Sequence, residues 1–536
     1  MPTTTGKPVE ANRPCELEAQ EHNSAPLSFG PQLWSAADRL RGHLDAAEYK
    51  HVVLGLIFLR FLSTSDDVPF KQMAFALKEE AVSNGRKNGH RNGASARLPK
   101  FVVPEESSWR FVCGKAHTAS VGRVLDRAME ALEQANSVLN GALPKIFSRT
   151  GLAGSKLGEL IGVISEIDFT DYNGTSRADL LGRVYEYFLG RFASAEGKRG
   201  GEFYTPPSIV RLLVEMLEPF GGTVYDPCCG SGGLFIQSQR FIDEHGGNLG
   251  ELRLFGQESN PATWRLARMN MAIHGLKVNL GPKPADTFAE NLHSDLRADF
   301  ILANPPFNMS DWISELMLSD SRWTFGKPNS GNANFAWIQH MIHHLSPRGR
   351  AGFVMANGSL SVQSGSDGEI RRAIIEADLV DCIVSLPSQL FFNTSIPVSL
   401  WFLARDKADG GYRERRGRTL FIDARHLGTM VDRIHRELTD NDVRLIAKTY
   451  IDWCHLGGKP SRAIEPGLSA EATTGEIRQH RYALVPGRYV GFAPRETVRW
   501  NPKALWKELN EIEQQLVGID TASRSALALL LELLHG

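Results

Sequence analysis

The stretch Asp299-Phe300-Ile301-Leu302-Ala303-Asn304-Pro305-Pro306-Phe307 constrains the fold more than any other in the chain. Its apolar run is too short for a helix and drives into an asparagine, paired prolines and an aromatic ring. That is the pattern of a buried parallel strand delivering a rigid loop at its carboxyl end, where open α/β sheets place their chemistry. Pro305 and Pro306 fix φ and remove two backbone donors, so the carbonyls and the Asn304 side chain stay out of the sheet ladder and face a cleft. The Asn304 amide oxygen and the Pro305 carbonyl can each accept a hydrogen bond from a flat exocyclic amino group, while Phe307 offers a face to a planar ring. The same residues also suit a plain strand-to-loop turn, with the asparagine as a cap and the phenylalanine in the core.

With 536 residues, 42% of them hydrophobic, the chain can bury a substantial core divided over two or three domains. Its net charge of -1 and pI of about 7.0 give no global positive field. A protein of this charge that acts on DNA needs a partner or a local basic patch. The six cysteines are scattered, with no Cys-x-x-Cys pair and no histidine cluster suited to zinc, which points to a reducing cytoplasm. The most apolar run, residues 52–62, is short and carries Arg60, and no signal peptide is evident, so a soluble protein without membrane association is expected.

Residues 1–26 are polar and unpatterned and read as a tail. Helical periodicity over residues 33–62, 121–143, 157–164 and 179–189 predicts a helical N-terminal domain over 27–175, with a join near the Gly/Lys/Arg stretch that follows. The basic, Gly/Asn-punctuated segment 84–93 reads as an exposed loop. From 176 to 495 the pattern alternates strand and helix, predicting an α/β, doubly wound, mostly parallel sheet. Strands are expected at 223–226, 252–258, 278–286, 299–304, 351–357, 379–386, 399–405 and 419–423. Helices are expected at 208–218, 234–241, 262–274, 334–345 and 369–377. The run Arg413-Glu414-Arg415-Arg416-Gly417-Arg418 reads first as a solvated turn and second as a phosphate contact. A C-terminal segment, 496–536, carries Leu505, Leu509, Ile512, Leu516 and Ile519 at helical spacing, an apolar stripe to bury on a partner or, in the plainer reading, within the protein itself.

Val224-Tyr225-Asp226-Pro227-Cys228-Cys229-Gly230-Ser231-Gly232-Gly233 is an acid-tipped strand running into a Gly-rich turn and then a helix. Glycines there allow close backbone approach, and the helix start offers free N–H groups to a carboxylate. The next strand ends in Glu258, placed to hold ribose hydroxyls, and a third in Asp286, placed to accept from an adenine amino group. Each acid alone reads as a surface residue; their coincidence at strand ends of one sheet points to a nucleoside-type cofactor.

Together with Gly200-Gly201-Glu202-Phe203-Tyr204-Thr205-Pro206, the Gly-rich turn and the Asn304-Pro305-Pro306-Phe307 loop resemble the motifs of DNA adenine-N6 methyltransferases. More narrowly, from about Leu33 to Val490 the chain resembles the modification subunit of type I restriction-modification systems. The resemblance implies an S-adenosylmethionine-dependent methyltransferase sheet of seven strands preceded by a helical domain. It assigns Asn304, Pro305, Pro306 and Phe307 to catalysis. Glu202, Phe203, Tyr204, Thr205, Pro206 and Pro207, with Asp226, Gly230, Ser231 and Gly232, fall to the cofactor, Glu258 to its ribose and Asp286 to its adenine. It further implies double-stranded DNA as substrate, with a specificity subunit, a second copy of the chain and a restriction subunit as partners. The alternatives are a non-catalytic DNA-binding scaffold that keeps the fold, or a methyltransferase acting on RNA or protein amines.

Overall fold

The computed structural model describes residues 46–63, 101–149, 153–166, 205–247, 249–312, 319–363, 365–391, 396–408, 412–433, 435–455, 464–492 and 502–535, with isolated positions at 34, 35, 38 and between 184 and 192. The expected tail 1–26 and the basic loop 84–93 lie outside them.

Four N-terminal helices, α1 (Ala46–Ser63), α2 (Trp109–Gly114), α3 (Val121–Ala135) and α4 (Gly154–Ser165), enclose one core. Helix α1 is apolar nearly all round, and Val52, Leu54, Leu56, Ile57, Phe58 and Leu59 are fully buried within it, as such a helix requires. The periodicity over 121–143 yields a shorter helix than expected. Asn136 takes an extended conformation, and its side-chain amide bonds the carbonyls of Leu132 and Val102 at 2.8 Å each, ending α3. Of the helix expected at 179–189, Val184, Tyr185 and Phe188 are helical and buried in the same core.

Next come α5 (Pro207–Leu217), β1 (Gly222–Asp226), α6 (Gly233–Glu244), β2 (Leu252–Gly256), α7 (Pro261–Ile273), β3 (Val278–Asn279) and β4 (Ala298–Ala303). They are followed by α8 (Asn334–His344), β5 (Leu345–Ala356), α9 (Asp367–Glu376), β6 (Val380–Ser385), β7 (Val398–Ala404) and β8 (Arg418–Asp423). A small hairpin, β9 (Thr429–Met430) with β10 (Arg436–Glu437), precedes α10 (Asp440–Cys454), β11 (Ser469–Thr473), α11 (Thr474–Gln479) and α12 (Pro502–His535).

The main sheet has nine strands in the order β11-β8-β6-β7-β5-β4-β1-β2-β3. Strands β3, β2, β1, β4 and β5 run parallel; β7 is antiparallel to both β5 and β6, and β11 to β8. The doubly wound, mostly parallel expectation therefore holds, with two strands beyond the seven that the resemblance implies. Alternate residues divide between two cores. Val224, Leu302 and Val354 face α5, α6 and α10, whereas Tyr225, Ile301, Ala303 and Phe353 face α8 and α9. The helical N-terminal core is continuous with α7 through Leu266, Met269, Ala272 and Ile273.

Two expectations need correction. The third strand, expected over 278–286, is two residues long, because Asn279 Oδ1 accepts from Gly281 N at 3.0 Å and Gly281 turns at φ 73°. Asp286 therefore sits in a loop beyond the sheet. The basic run 413–418 is not simply a solvated turn either. Arg415 is buried and pairs with Asp381 through two contacts at 3.2 Å, while Arg413 and Arg418 both bond Glu471. Glu414, Arg416 and Arg418 are exposed, and Arg416 pairs with its neighbour Glu414.

Helix α12 runs 34 residues, and its described apolar side chains, including Trp506, Leu509, Ile512, Leu516 and Ile519, are all exposed. No helix among the described residues is long and apolar enough to cross a membrane.

Candidate active site

Parallel neighbours β2, β1 and β4 deliver their carboxyl ends to one edge of the sheet, the crevice position of open α/β folds. Beyond β4, Asn304 is 9% exposed, and its Nδ2 donates to Thr205 Oγ1 at 2.8 Å. Its Oδ1 is buried and accepts no hydrogen bond. Thr205 lies just ahead of α5, where Pro206 is the cap and Pro207 opens the helix, a position at which the missing N–H costs nothing. Two motifs far apart in sequence are thus joined by one hydrogen bond. Phe307 is half-buried, its ring edge-on to Phe391 at 5.9 Å and 80°. The next residue, Asn308, turns at φ 53° and is clamped by Asn334, the first residue of α8. Asn308 N donates to Asn334 Oδ1 at 3.0 Å, and Asn334 Nδ2 donates back to Asn308 Oδ1 at 2.9 Å.

At the end of β1, Asp226 is 1% exposed and its Oδ1 accepts from Cys228 N at 3.0 Å. Burial pushes its carboxyl up to about 7, against the pull of that backbone hydrogen bond. Burial likewise pushes the Cys228 and Cys229 thiols well up, so both stay protonated and serve the turn by packing. The two glycines do different work. Gly230, at φ 54°, has open space where a Cβ would project, leaving a place for a ligand against bare backbone. At Gly232, φ 84° lies in the left-handed region that favours glycine, and a Cβ would stand 2.5 Å from Met271 Cε, the movable end of that side chain. Ser231 is held through its carbonyl, which accepts from Asn270 Nδ2 at 2.8 Å.

Glu258 follows β2 and is half-buried, with Oε2 accepting from Gly230 N at 3.1 Å and Oε1 from Asn260 N at 2.8 Å. One carboxylate therefore fixes the Gly-rich turn and the start of α7. Asp286 is exposed, and its Oδ1 takes the N–H groups of Phe288 and Ala289 at 2.8 and 2.9 Å. It lies beside the other acids because its loop is stitched to them. Thr287 Oγ1 donates to Pro227 O at 2.6 Å, and Ala285 N donates to Glu258 O at 3.0 Å. Of the residues singled out in sequence, Glu202, Phe203 and Tyr204 lie outside the described residues.

Sequence reading missed four residues that hold this arrangement. Gln257 donates to the carbonyls of Ala285 and Glu290 and accepts from Leu292 N; Asn270, Thr287 and Arg322 tie further loops. Gln257 could have been suspected from its place beside Glu258. The others carry no local signal, because their partners are 39, 60 and 35 positions away.

A strand order of this kind, with an acid-tipped Gly-rich turn and an Asn-Pro-Pro-Phe loop at adjacent strand ends, defines a methyltransferase domain. The N-6 DNA Methylase family model matches residues 176–497, and the HsdM N-terminal domain matches 29–167. The HindI type I restriction enzyme methylase subunit of Haemophilus influenzae is 48% identical over 384 residues, covering 70% of this chain and 84% of its own. The MjaIX type I methylase subunit of Methanocaldococcus jannaschii is 37% identical over 496 residues, covering 89% and 86%. The fold matches the crystal structure of a type I restriction-modification methyltransferase subunit from Streptococcus thermophilus, with TM-score 0.67 and 24% identity over 86% of this chain and 99% of that one. The chain belongs to the N-6 DNA methylase family, and within it to the modification subunits of type I restriction-modification systems.

Proposed function

We propose that this chain transfers a methyl group from S-adenosylmethionine to N6 of an adenine flipped out of duplex DNA, at sites chosen by a separate specificity subunit. The observation that carries this reading is the buried, unpartnered Oδ1 of Asn304. Leaving such an acceptor unsatisfied costs about 1–3 kcal/mol, a cost that a donor on the substrate would remove.

The residues at the neighbouring strand ends fit the cofactor. Open space at Gly230 admits a ligand against the backbone, Glu258 sets its carboxylate beside that turn where ribose hydroxyls would lie, and the second carboxylate oxygen of Asp286 can accept from an adenine amino group. Thr205, Pro206, Pro207, Asp226, Ser231 and Gly232 are assigned to the cofactor with them, as are Glu202, Phe203 and Tyr204 by their place in the motif. When bound, S-adenosylmethionine supplies an electrophilic methyl group on a sulfonium.

The lone pair of an adenine N6 is delocalised into its ring. Asn304 Oδ1 and the Pro305 carbonyl accept its N–H groups and so favour the positive charge that develops on nitrogen as it attacks. Thr205 fixes the orientation of the Asn304 amide, leaving Oδ1 as the unpartnered acceptor, and Pro306 stiffens the loop. No tuned general base is required, because the methylated nitrogen is strongly acidic until it loses its proton. Extrusion of the base costs a few kcal/mol, offset by stacking on Phe307 and by the two hydrogen bonds.

The chain divides into a helical N-terminal domain (27–175), the catalytic domain (176–495) and a partner-binding C-terminal segment (496–536), behind a tail (1–26). The exposed apolar side chains of α12 support docking on the specificity subunit, with a second copy of this chain and a restriction subunit completing a cytoplasmic complex. The test is transfer of a radiolabelled methyl group to duplex DNA by the chain assembled with its specificity subunit, with the product mapped to N6-methyladenine. Absence of label, or label on RNA or protein, rejects the reading.

A further inference from the structure

Arg322 is 4% exposed, and the roles described so far give it no part in the chemistry. Its guanidinium is committed on two sides. Nη1 donates to Thr287 O at 2.8 Å and Nη2 to Phe288 O at 2.7 Å, so the fork grips two successive carbonyls of the loop that carries Asp286. Nη1 also reaches His340 Nδ1 at 3.1 Å on α8, and Nη2 bonds Asp320 Oδ2 at 2.6 Å. Asp320 in turn accepts from Arg322 N at 2.8 Å. Since a guanidinium only donates, His340 Nδ1 accepts and its proton resides on Nε2, which faces the Tyr225 hydroxyl at 3.2 Å on β1. Burial and the neighbouring cations keep His340 neutral.

Helix α8 then carries this connection to the other half of the site. Its first residue, Asn334, clamps Asn308 directly after the Asn-Pro-Pro-Phe loop. A second contact runs in parallel, with the Phe288 ring 4.8 Å from Trp312 and 4.4 Å from Trp337. The Asp286 loop and the Asn304 loop therefore meet on one rigid helix, and Arg322 is the polar link between the first loop and that helix.

We propose that Arg322 is a positioning residue that couples the two halves of the active site, so that seating of the adenine end of S-adenosylmethionine and the geometry of the target-amine clamp depend on each other through one buried guanidinium. The inference rests on the functional reading above. Lysine cannot replace it, because a single ammonium keeps the charge but cannot span two adjacent carbonyls and an imidazole in a fixed plane.

The test uses the full-length chain and three readouts. Calorimetry gives S-adenosylmethionine affinity. Binding of target-site DNA by the chain with its specificity subunit, with and without cofactor, gives the coupling between the two ligands. Thermal melting confirms folding. Arg322→Lys is expected to weaken cofactor binding by about tenfold and to abolish the tightening of DNA binding by cofactor, while Glu258 and Asn304 remain native. Asp320→Asn, which leaves the guanidinium in place but loosens its hold, is expected to give about a threefold loss in the same direction and serves if the lysine variant does not fold. Folded variants with cofactor affinity within twofold of native and undiminished coupling overturn the inference alone. A native chain that binds no S-adenosylmethionine overturns the functional reading and this inference with it.

Discussion

The Asn304 amide donates to the Thr205 hydroxyl at 2.8 Å across 99 residues of sequence. This contact fixes the orientation of a flexible side chain, with Nδ2 donating to Thr205 and Oδ1 buried without a partner. The same bond joins the segment ahead of α5 to the loop beyond β4, so residues proposed for cofactor and for target amine share a common support.

Removing that acceptor should separate catalysis from cofactor binding. Asn304→Ala in the assembled complex is expected to lower turnover by about 10²–10³, the usual effect of deleting one preorganised group that stabilises transition-state charge. Cofactor affinity measured by calorimetry should stay within about threefold of native. Retention of more than about a tenth of native turnover would remove Asn304 from the chemistry.

Phe307 meets Phe391 edge-on and is half-buried, so truncation should loosen base capture with little effect on the cofactor. With 2-aminopurine at the target position, Phe307→Ala is expected to change the fluorescence increase on binding and to raise KM for DNA more than it lowers kcat. Unchanged fluorescence and kinetics would reduce Phe307 to a packing residue.

The two glycines of the turn should fail in different ways. Gly230→Ala projects into open space, so it should weaken S-adenosylmethionine at least tenfold, with a stability loss confined to about 1–2 kcal/mol for a left-handed alanine. Gly232→Val forces a β-branched residue into a left-handed φ of 84° and displaces the end of Met271, and should lower the melting temperature whether or not cofactor is present. Identical melting temperatures for Gly232→Val and native protein would contradict the conformational role.

Burial raises the Asp226 carboxyl from its ordinary value of 3.8 to about 7, so between those limits the folded chain holds a proton that the unfolded chain releases. Stability from this group is complete below pH 3.8 and is lost as pH rises towards and through 7. Asp226→Asn keeps an oxygen for Cys228 N and removes the ionisation. Its melting temperature relative to native should therefore rise from pH 5 to pH 8. The difference is the quantity to read, because the buried His340 and His344 lose stability in the opposite direction, as pH falls below about 6.5, in both proteins alike. A pH-independent difference would show that Asp226 is ionised throughout.

Deleting the residues after Asn501 removes a helix whose described apolar side chains are exposed. Co-purification with the specificity subunit is expected to be lost, while S-adenosylmethionine binding is retained. Site-specific methylation by the isolated full-length chain would overturn the dependence on a partner, which follows from its near-neutral charge.

Much of the site was legible in sequence wherever the chemistry is local. A short apolar run stopped by Asn-Pro-Pro can only be a strand and its exit loop, and Asp226, Gly230 and Glu258 stand at strand ends because acids and glycines interrupt apolar runs there. Of the misread elements, one was decided by a local side-chain turn and the other by a distant partner. Asp286 looks like a strand end, yet the strand stops at Asn279, whose own side chain closes a turn. Arg415 looks like one of several solvated arginines until Asp381, on a neighbouring strand, draws it inside.

Apolar periodicity by itself determined the layered α/β fold, the helical N-terminal region and the C-terminal helix, because burying one face of each element leaves few arrangements. Only the tertiary structure decided which glycine faces open space and which stands against Met271, that the Asn304 oxygen is buried without a partner, and that Arg322 links two loops through α8. These depend on atoms brought within hydrogen-bond or van der Waals reach by chain closure, and no spacing along the sequence encodes such a distance.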